Sequence, residues 1–248
     1  MDKQQNLLYK GRRHIIFAPV NSLWWILKLA YLRKKYKQHS FEKSFDFDWK
    51  KTNFNRIALV NFLVAKTSDC SYLEIGCDTN DLFDAVPIFR KTGVDPQIGG
   101  NIRKTSDEFF KANDSFFDVI FIDGLHTYEQ VRKDVINSIR FLKPGGWIAL
   151  HDMLPRSWLE DHVPNLSTSE WTGDVWKVAF ELSQTEGIEF KIIKIDRGVG
   201  VIRINKNNPS LVDLRNELND KQFSYFYENV NKLPLVEWSD CQDWLERS

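Results

Sequence analysis

Asp123 and His126 stand three residues apart just beyond an apolar run, Val119-Ile-Phe-Ile122. A strand ending there would place both in the following loop, a carboxylate and an imidazole of the kind general acid/base chemistry uses. A second such end follows, where Trp147-Ile-Ala-Leu150 runs into His151-Asp152. Upstream, Tyr72-Leu-Glu-Ile-Gly-Cys-Asp-Thr-Asn80 reads as a strand entering a tight turn, with Gly76 allowing the backbone to approach a ligand closely. It is not a GxGxxG fingerprint, because Asp78 and Asn80 occupy positions where a dinucleotide pyrophosphate wants glycine, and this disfavours a nicotinamide dehydrogenase. Acids in that turn favour a cationic ligand. Glu74 suits an amino group, and Asp95, 21 residues later at the next strand end, can accept hydrogen bonds from both ribose hydroxyls.

These residues need strands that end together. From Asn55 onward helix and strand patterns alternate, the signature of a parallel sheet covered on both faces. The pattern predicts a helix over 55–66 and strands at Tyr72–Ile75, Arg90–Asp95, Ile102–Lys104, Val119–Ile122 and Trp147–His151. Tyr128, Val131, Val135, Ile139 and Leu142 fall on one face of a helix after Asp123, and Pro144-Gly145-Gly146 turns the chain into the next strand. Glu189–Ile195 and Val199–Ile204 read as a hairpin turning at Asp196-Arg197-Gly198. The expected fold class is α/β, a doubly wound seven-stranded Rossmann-like sheet with an antiparallel last strand and helical additions at both ends. The expected organisation is a basic aromatic extension over 1–50, a core domain over 51–205 and a helical tail over 206–248.

Composition bounds the remaining classes. The chain has 248 residues, 42% of them apolar, too rich in core formers for a disordered segment. Net charge is zero, yet Lys10, Arg12, Arg13, Lys28, Arg33, Lys34, Lys35 and Lys37 crowd residues 10–37 with no acid among them. Basic character this local argues against nucleic acid as a partner. Cys70, Cys77 and Cys241 form no CxxC pair and leave an odd count, which argues against a disulfide framework and a cysteine zinc site and fits a cytoplasmic protein. The apolar stretch Ile15–Leu32 is broken by Pro19, Asn21, Ser22 and Lys28, so it reads as neither a signal peptide nor a membrane span. A helix over Ser22–Tyr36 has two readings. It packs on the core or on a second subunit, or it lies in the interface of the inner membrane face, with tryptophans at the acyl boundary and lysines toward anionic lipid.

Six segments, in order and spacing, resemble the class I S-adenosylmethionine-dependent methyltransferases, and within them the bacterial branch near glycan and natural-product O-methyltransferases. They are Tyr72-Leu-Glu-Ile-Gly-Cys77, Gly93-Val-Asp-Pro96, Thr105-Ser-Asp-Glu-Phe-Phe110, Phe117–Tyr128, Lys143-Pro-Gly-Gly146 and His151-Asp152. The resemblance implies that Glu74, Gly76, Cys77 and Asp78 hold the methionine part of the cofactor, Asp95 its ribose, and Ser106 with Asp107 its adenine region. The first loop departs from the pattern in having one glycine where many members have two or three. The strand-end acids are similar to those of catechol-type and macrolide-sugar methyltransferases that bind magnesium. By position this makes Asp123, His151 and Asp152 candidate metal ligands. A histidine in the set suits manganese, iron or zinc better than magnesium, and a metal-free polar pocket stays open as the alternative. His126 lies where the catechol-type enzymes carry a catalytic lysine. Trp171 and Trp176 suit either a sugar-binding wall or the core. The implied activity is methyl transfer to a hydroxyl of a saccharide or other small-molecule acceptor. The alternative is a non-catalytic cofactor-binding or membrane-surface protein of the same fold.

Overall fold

The computed structural model describes residues 19–47, 52, 54–206 and 209–246. Helices α1 (Pro19–Lys35) and α2 (Arg56–Ala65) precede strand β1 (Tyr72–Ile75). Then follow α3 (Asp81–Ala85), β2 (Lys91–Val94), α4 (Ser106–Ala112), β3 (Phe117–Ile122), α5 (Tyr128–Phe141) and β4 (Leu142–Leu150). The second half carries α6 (Trp158–Asp161), α7 (Lys177–Gln184), β5 (Ile188–Ile193), β6 (Val199–Ile204), α8 (Arg215–Leu218), α9 (Phe223–Asn229), β7 (Leu235–Val236) and α10 (Trp238–Glu246).

The seven strands form one sheet in the order β2-β1-β3-β4-β6-β5-β7. β6 runs antiparallel to both of its neighbours and every other pairing is parallel. Side chains alternate across it as the pleat demands. Leu73, Ile75, Ile120, Ile122, Ile148 and Leu150 enter one core, beneath α5 and α7. Tyr72, Val119, Phe121, Trp147 and Ala149 enter the other, beneath α2 and α10. With both faces covered, β1 is buried along its whole length, and three of its four residues, Tyr72, Leu73 and Ile75, are apolar or aromatic, with Glu74 the exception.

Two strand expectations need correction. Ile102–Lys104 forms no strand; Ile102 makes a single bridge to Val94, because Gly93, Asn101 and Asp95 spend their polar groups on closing the loop between them. The seventh strand comes instead from the tail, where Leu235–Val236 adds beside β5. The tail also supplies Phe223 and Phe226 to one core and Cys241 and Leu245 to the other.

Helix ends follow local chemistry. Asn55 caps α2 by accepting from the Ala58 amide, and Thr105 and Glu108 form a reciprocal capping box on α4. Thr127 caps α5, so the chain leaves Asp123 through a four-residue loop and re-enters helix at Tyr128. The strand order reverses between β2-β1 and β3, and the crevice at such a reversal, beyond the carboxyl ends of the strands, is where open α/β sheets take ligands.

Candidate active site

Gly76 holds the crevice open. Its φ of +84° is left-handed, and a Cβ there would be driven into the backbone carbonyl of Asp123. Only glycine lets the turn after β1 pass this close to the end of β3. Beside it lies a cavity of about 210 Å³ lined by Gly76, Val94, Pro96, Ser106, Asp107, Gly124 and Gln130, among others.

The floor of this cavity is a polar network that the sequence reading missed. The Gln130 amide lies 3.1 Å from each of Ser106 Oγ, Asp107 Oδ1 and Asp134 Oδ1, tying α4 to α5. Asp134 is fully buried and its Oδ2 has no partner. Burial pushes its carboxyl up to about 7, against hydrogen bonds from Ser106 and Gln130. A signal was present: Gln130, Asp134 and Ser138 recur every four residues beside the apolar stripe of α5, and all three are buried.

The remaining residues expected around the cofactor do not all line this cavity. Gly76, Ser106 and Asp107 do. Asp95 sits between two lining residues but turns its carboxylate into its own loop. There it accepts from the amides of Cys77 and Asp78 at 3.2 Å, Gln97 at 2.7 Å and Ile98 at 2.9 Å. Cys77 and Asp78 thus meet Asp95 through their backbones. Glu74 is 1% exposed, on the opposite face of β1, and accepts from the Tyr72 hydroxyl at 2.5 Å. Burial raises its carboxyl to about 8, which the Tyr72 hydrogen bond only partly offsets.

A charged cluster gathers across Gly76 and Gly124, at the ends of β3, β4 and the β5–β6 hairpin. His126 lies between two carboxylates, its Nε2 3.0 Å from Asp123 Oδ1 and its Nδ1 3.1 Å from Asp152 Oδ2. Nδ1 is also 2.8 Å from the Trp171 carbonyl, which can only accept, so Nδ1 carries a hydrogen. Nε2 then faces a carboxylate, and the contact is favourable only with a proton or a cation between them. His151 Nδ1 lies 3.5 Å from Asp123 and 3.3 Å from Asp152, and neither of its ring nitrogens has a hydrogen-bond partner. Asp152, at φ +62°, holds a backbone conformation uncommon outside glycine.

The electrostatics are those of opposed buried charges. Burial alone would raise Asp123, but the charge of His151, 3.5 Å away, and the 3.0 Å contact with His126 hold it well below the usual carboxylate range. Asp152 is lowered in the same way. Burial disfavours the His151 imidazolium, yet Asp152 and Asp123 together raise it well above an ordinary imidazole. Asp196, from the hairpin, lies 3.7 Å from His151 Nε2 and pairs with Arg56 at 2.7 Å. Neither Asp196 nor Arg56 was expected at the site, and nothing local marks them, since one is a turn residue and the other opens α2.

Asp123, His126 and Asp152 each offer a ligand atom within 4.8 Å of the others. Of the expected metal set the structure brings the two acids together and puts His126, rather than His151, in the tightest group. Oxygen and imidazole donors with orphaned nitrogens alongside fit a divalent ion of borderline character. Trp171 stacks on His126 at 5.5 Å, whereas Trp176 is fully buried against Asp161 and Phe226 and belongs to the core.

The seven-stranded sheet with its antiparallel β6 is the Rossmann-like fold of S-adenosylmethionine-dependent methyltransferases. The family model described as a methyltransferase domain matches residues 22–153, more than half of the chain, and the chain belongs to that family. Solved structures with a similar trace include a Podospora anserina methyltransferase bound to S-adenosylhomocysteine, at 18% identity over 77% of this chain and 99% of that one, TM-score 0.42. Another is a putative caffeoyl-CoA O-methyltransferase from Staphylococcus aureus, at 15% identity over 73% of this chain and 100% of that one, TM-score 0.44. A third is MycE from the mycinamycin biosynthetic pathway, in complex with Mg, S-adenosylhomocysteine and mycinamycin VI, at 15% identity over 62% of this chain and 50% of that one, TM-score 0.38. No curated protein matches the sequence.

Proposed function

We propose that the protein acts in the cytoplasm and methylates a hydroxyl oxygen of a saccharide or saccharide-bearing small molecule, with a divalent ion at the Asp123 cluster. The observation that carries this reading is the convergence of Asp123, His126 and Asp152 within 4.8 Å, one glycine turn away from the cavity bounded by Gly76, Ser106 and Asp107. An amine acceptor needs only to lose a proton from a group of pKa about 10.4 or lower, whereas a hydroxyl must be polarised or deprotonated, which is the work such a cluster suits.

In this reading Gly76 admits the donor's methionine portion, and Ser106 and Asp107, held by Gln130, meet its adenine region. Asp95 shapes the ribose-side loop through the amides of Cys77 and Asp78, and Glu74 stiffens β1 from behind. Asp123 and Asp152 would hold the ion together with His126, with His151 behind them. A divalent ion there supplies Lewis-acid polarisation of an acceptor oxygen. Asp123 would orient the acceptor and receive its proton on a carboxylate oxygen, His126 would hold Asp123 in place across 3.0 Å, and the Trp171 ring, stacked on His126, would close one side against water. The imidazole ligand favours manganese over magnesium.

The test measures S-adenosylhomocysteine release across a panel of saccharide and other hydroxyl acceptors, with and without chelator. Turnover that chelator abolishes and manganese restores is expected. Turnover indifferent to chelator would leave His126 as an unassisted base, and turnover only on amines would overturn oxygen transfer.

A further inference from the structure

We propose that helix α1 is a docking surface for an anionic lipid bilayer. At helical spacing Trp24, Leu27 and Tyr31 share one side, and they are 66%, 61% and 64% exposed. Trp24, Leu27 and Tyr31 are large side chains turned to solvent on one sector of the helix, Ile26 lies outside that sector, and the helix is anchored through Leu29, only 3% exposed. Lys34 and Lys35 are exposed one turn further along the same side, and the Lys28 ammonium sits over the Trp24 ring at 5.3 Å. Exposed rings in one sector, with long lysine side chains at its edge and end that can reach back to the headgroups, suit a shallow interfacial contact rather than a deeply seated amphipathic helix.

Charge selects the occupant. Among the described residues this side carries Lys28, Lys34 and Lys35 and no acid, so a second copy docking face to face would bring like charge onto like charge. An anionic headgroup layer complements it. No helix among the described residues is long and apolar enough to cross a membrane, so the contact is peripheral.

The helix is also fastened to the candidate acceptor side. Arg33 Nε donates to the Leu166 carbonyl at 2.9 Å. Beyond the helix end, the Tyr36 ring lies 4.5 Å from the His162 ring, and the His39 and His162 imidazoles share a 2.9 Å hydrogen bond. Trp171 Nε1 donates to the His162 carbonyl, and the Trp171 carbonyl meets His126. That an acceptor is met at the membrane surface rests on the function proposed above; the docking does not.

The experiment is sedimentation of the full chain with phosphatidylcholine vesicles and with vesicles containing phosphatidylglycerol. Pelleting with the anionic vesicles alone is expected, with release by salt, since the attraction is screened within about 8 Å at physiological ionic strength. Lys34→Glu with Lys35→Glu should weaken partitioning by at least about tenfold. Trp24→Ser with Leu27→Ser should do the same, while both variants keep the wild type's unfolding temperature. Equal pelleting with both vesicles, none with either, or partitioning untouched by both variants would overturn the proposal. So would a salt-stable dimer that dissociates on Trp24→Ser. A protein that pellets selectively but releases no S-adenosylhomocysteine with any acceptor leaves docking intact and refutes the methyl-transfer reading alone.

Discussion

The two sides of the crevice are built in opposite ways. The cavity side, around β1, β2 and α4, works through backbone: a left-handed glycine, amides folded onto Asp95, and one glutamine joining two helices. The cluster side, at β3, β4 and the hairpin, works through buried and half-buried charged side chains drawn from segments as far apart as Arg56 and Asp196. A cavity shaped by backbone tolerates exchange of most side chains and almost none of its glycines. A charged cluster reverses this, because removing one member leaves the others buried and unpaired.

The sharpest test of the contrast is Gly76→Ala. The new methyl meets the Asp123 carbonyl in a backbone conformation alanine resists, so β1 and β3 must separate. A loss of roughly 3 kcal/mol or more in unfolding free energy is expected, together with loss of S-adenosylhomocysteine binding by calorimetry. A variant with wild-type stability and affinity would show that the turn does not need glycine.

Asp123→Ala should strike the other side. Methyl transfer is expected to fall about 10²–10⁴-fold, while donor affinity changes little, because the cavity is lined by other residues. Equal losses of turnover and donor binding would mean the two sides are one unit.

What could be read in the sequence follows the same division. Strand ends at Ile75, Ile122 and Leu150 were legible because apolar runs stop there, and Asp123, His126 and Asp152 were found as neighbours of those stops. The edge of the sheet was not, because Ile102–Lys104 and Leu235–Val236 are both too short for periodicity to decide between them. Long-range partners were equally silent. Asp196 looks like an ordinary hairpin turn residue, and only tertiary packing brings it to His151 and Arg56. Asp95 shows a subtler limit: its position was read correctly, but a carboxylate beside four free amides satisfies them first.

Gln130→Ala probes the cavity floor with a smaller effect. Ser106, Asp107 and Asp134 would lose their shared donor, and donor affinity should drop by the equivalent of about 1–3 kcal/mol, with turnover at saturating donor nearly unchanged. A fall in turnover at saturation without change in affinity would place Gln130 with the cluster instead.

The mildest prediction sets two buried acids against each other by sign. Asp134 is raised from 3.8 to about 7, so between those values the folded chain holds a proton that the unfolded chain has released. Its contribution to stability is therefore full below pH 3.8 and is lost as pH rises toward 7. Asp123 is lowered, so its contribution is full above its unfolded value and is lost as pH falls through the acid range. Urea unfolding across pH 4–7 should accordingly show a flatter, more alkaline-tolerant profile for Asp134→Asn than for the wild type, because a neutral amide has no proton to lose. Asp123→Asn should change the profile at lower pH, and toward neutral pH as well, because Asp123 also holds the proton on His151. If Asp134→Asn left the slope unaltered, the carboxyl would be ionised in its pocket, and the unpartnered Oδ2 would need a cationic neighbour.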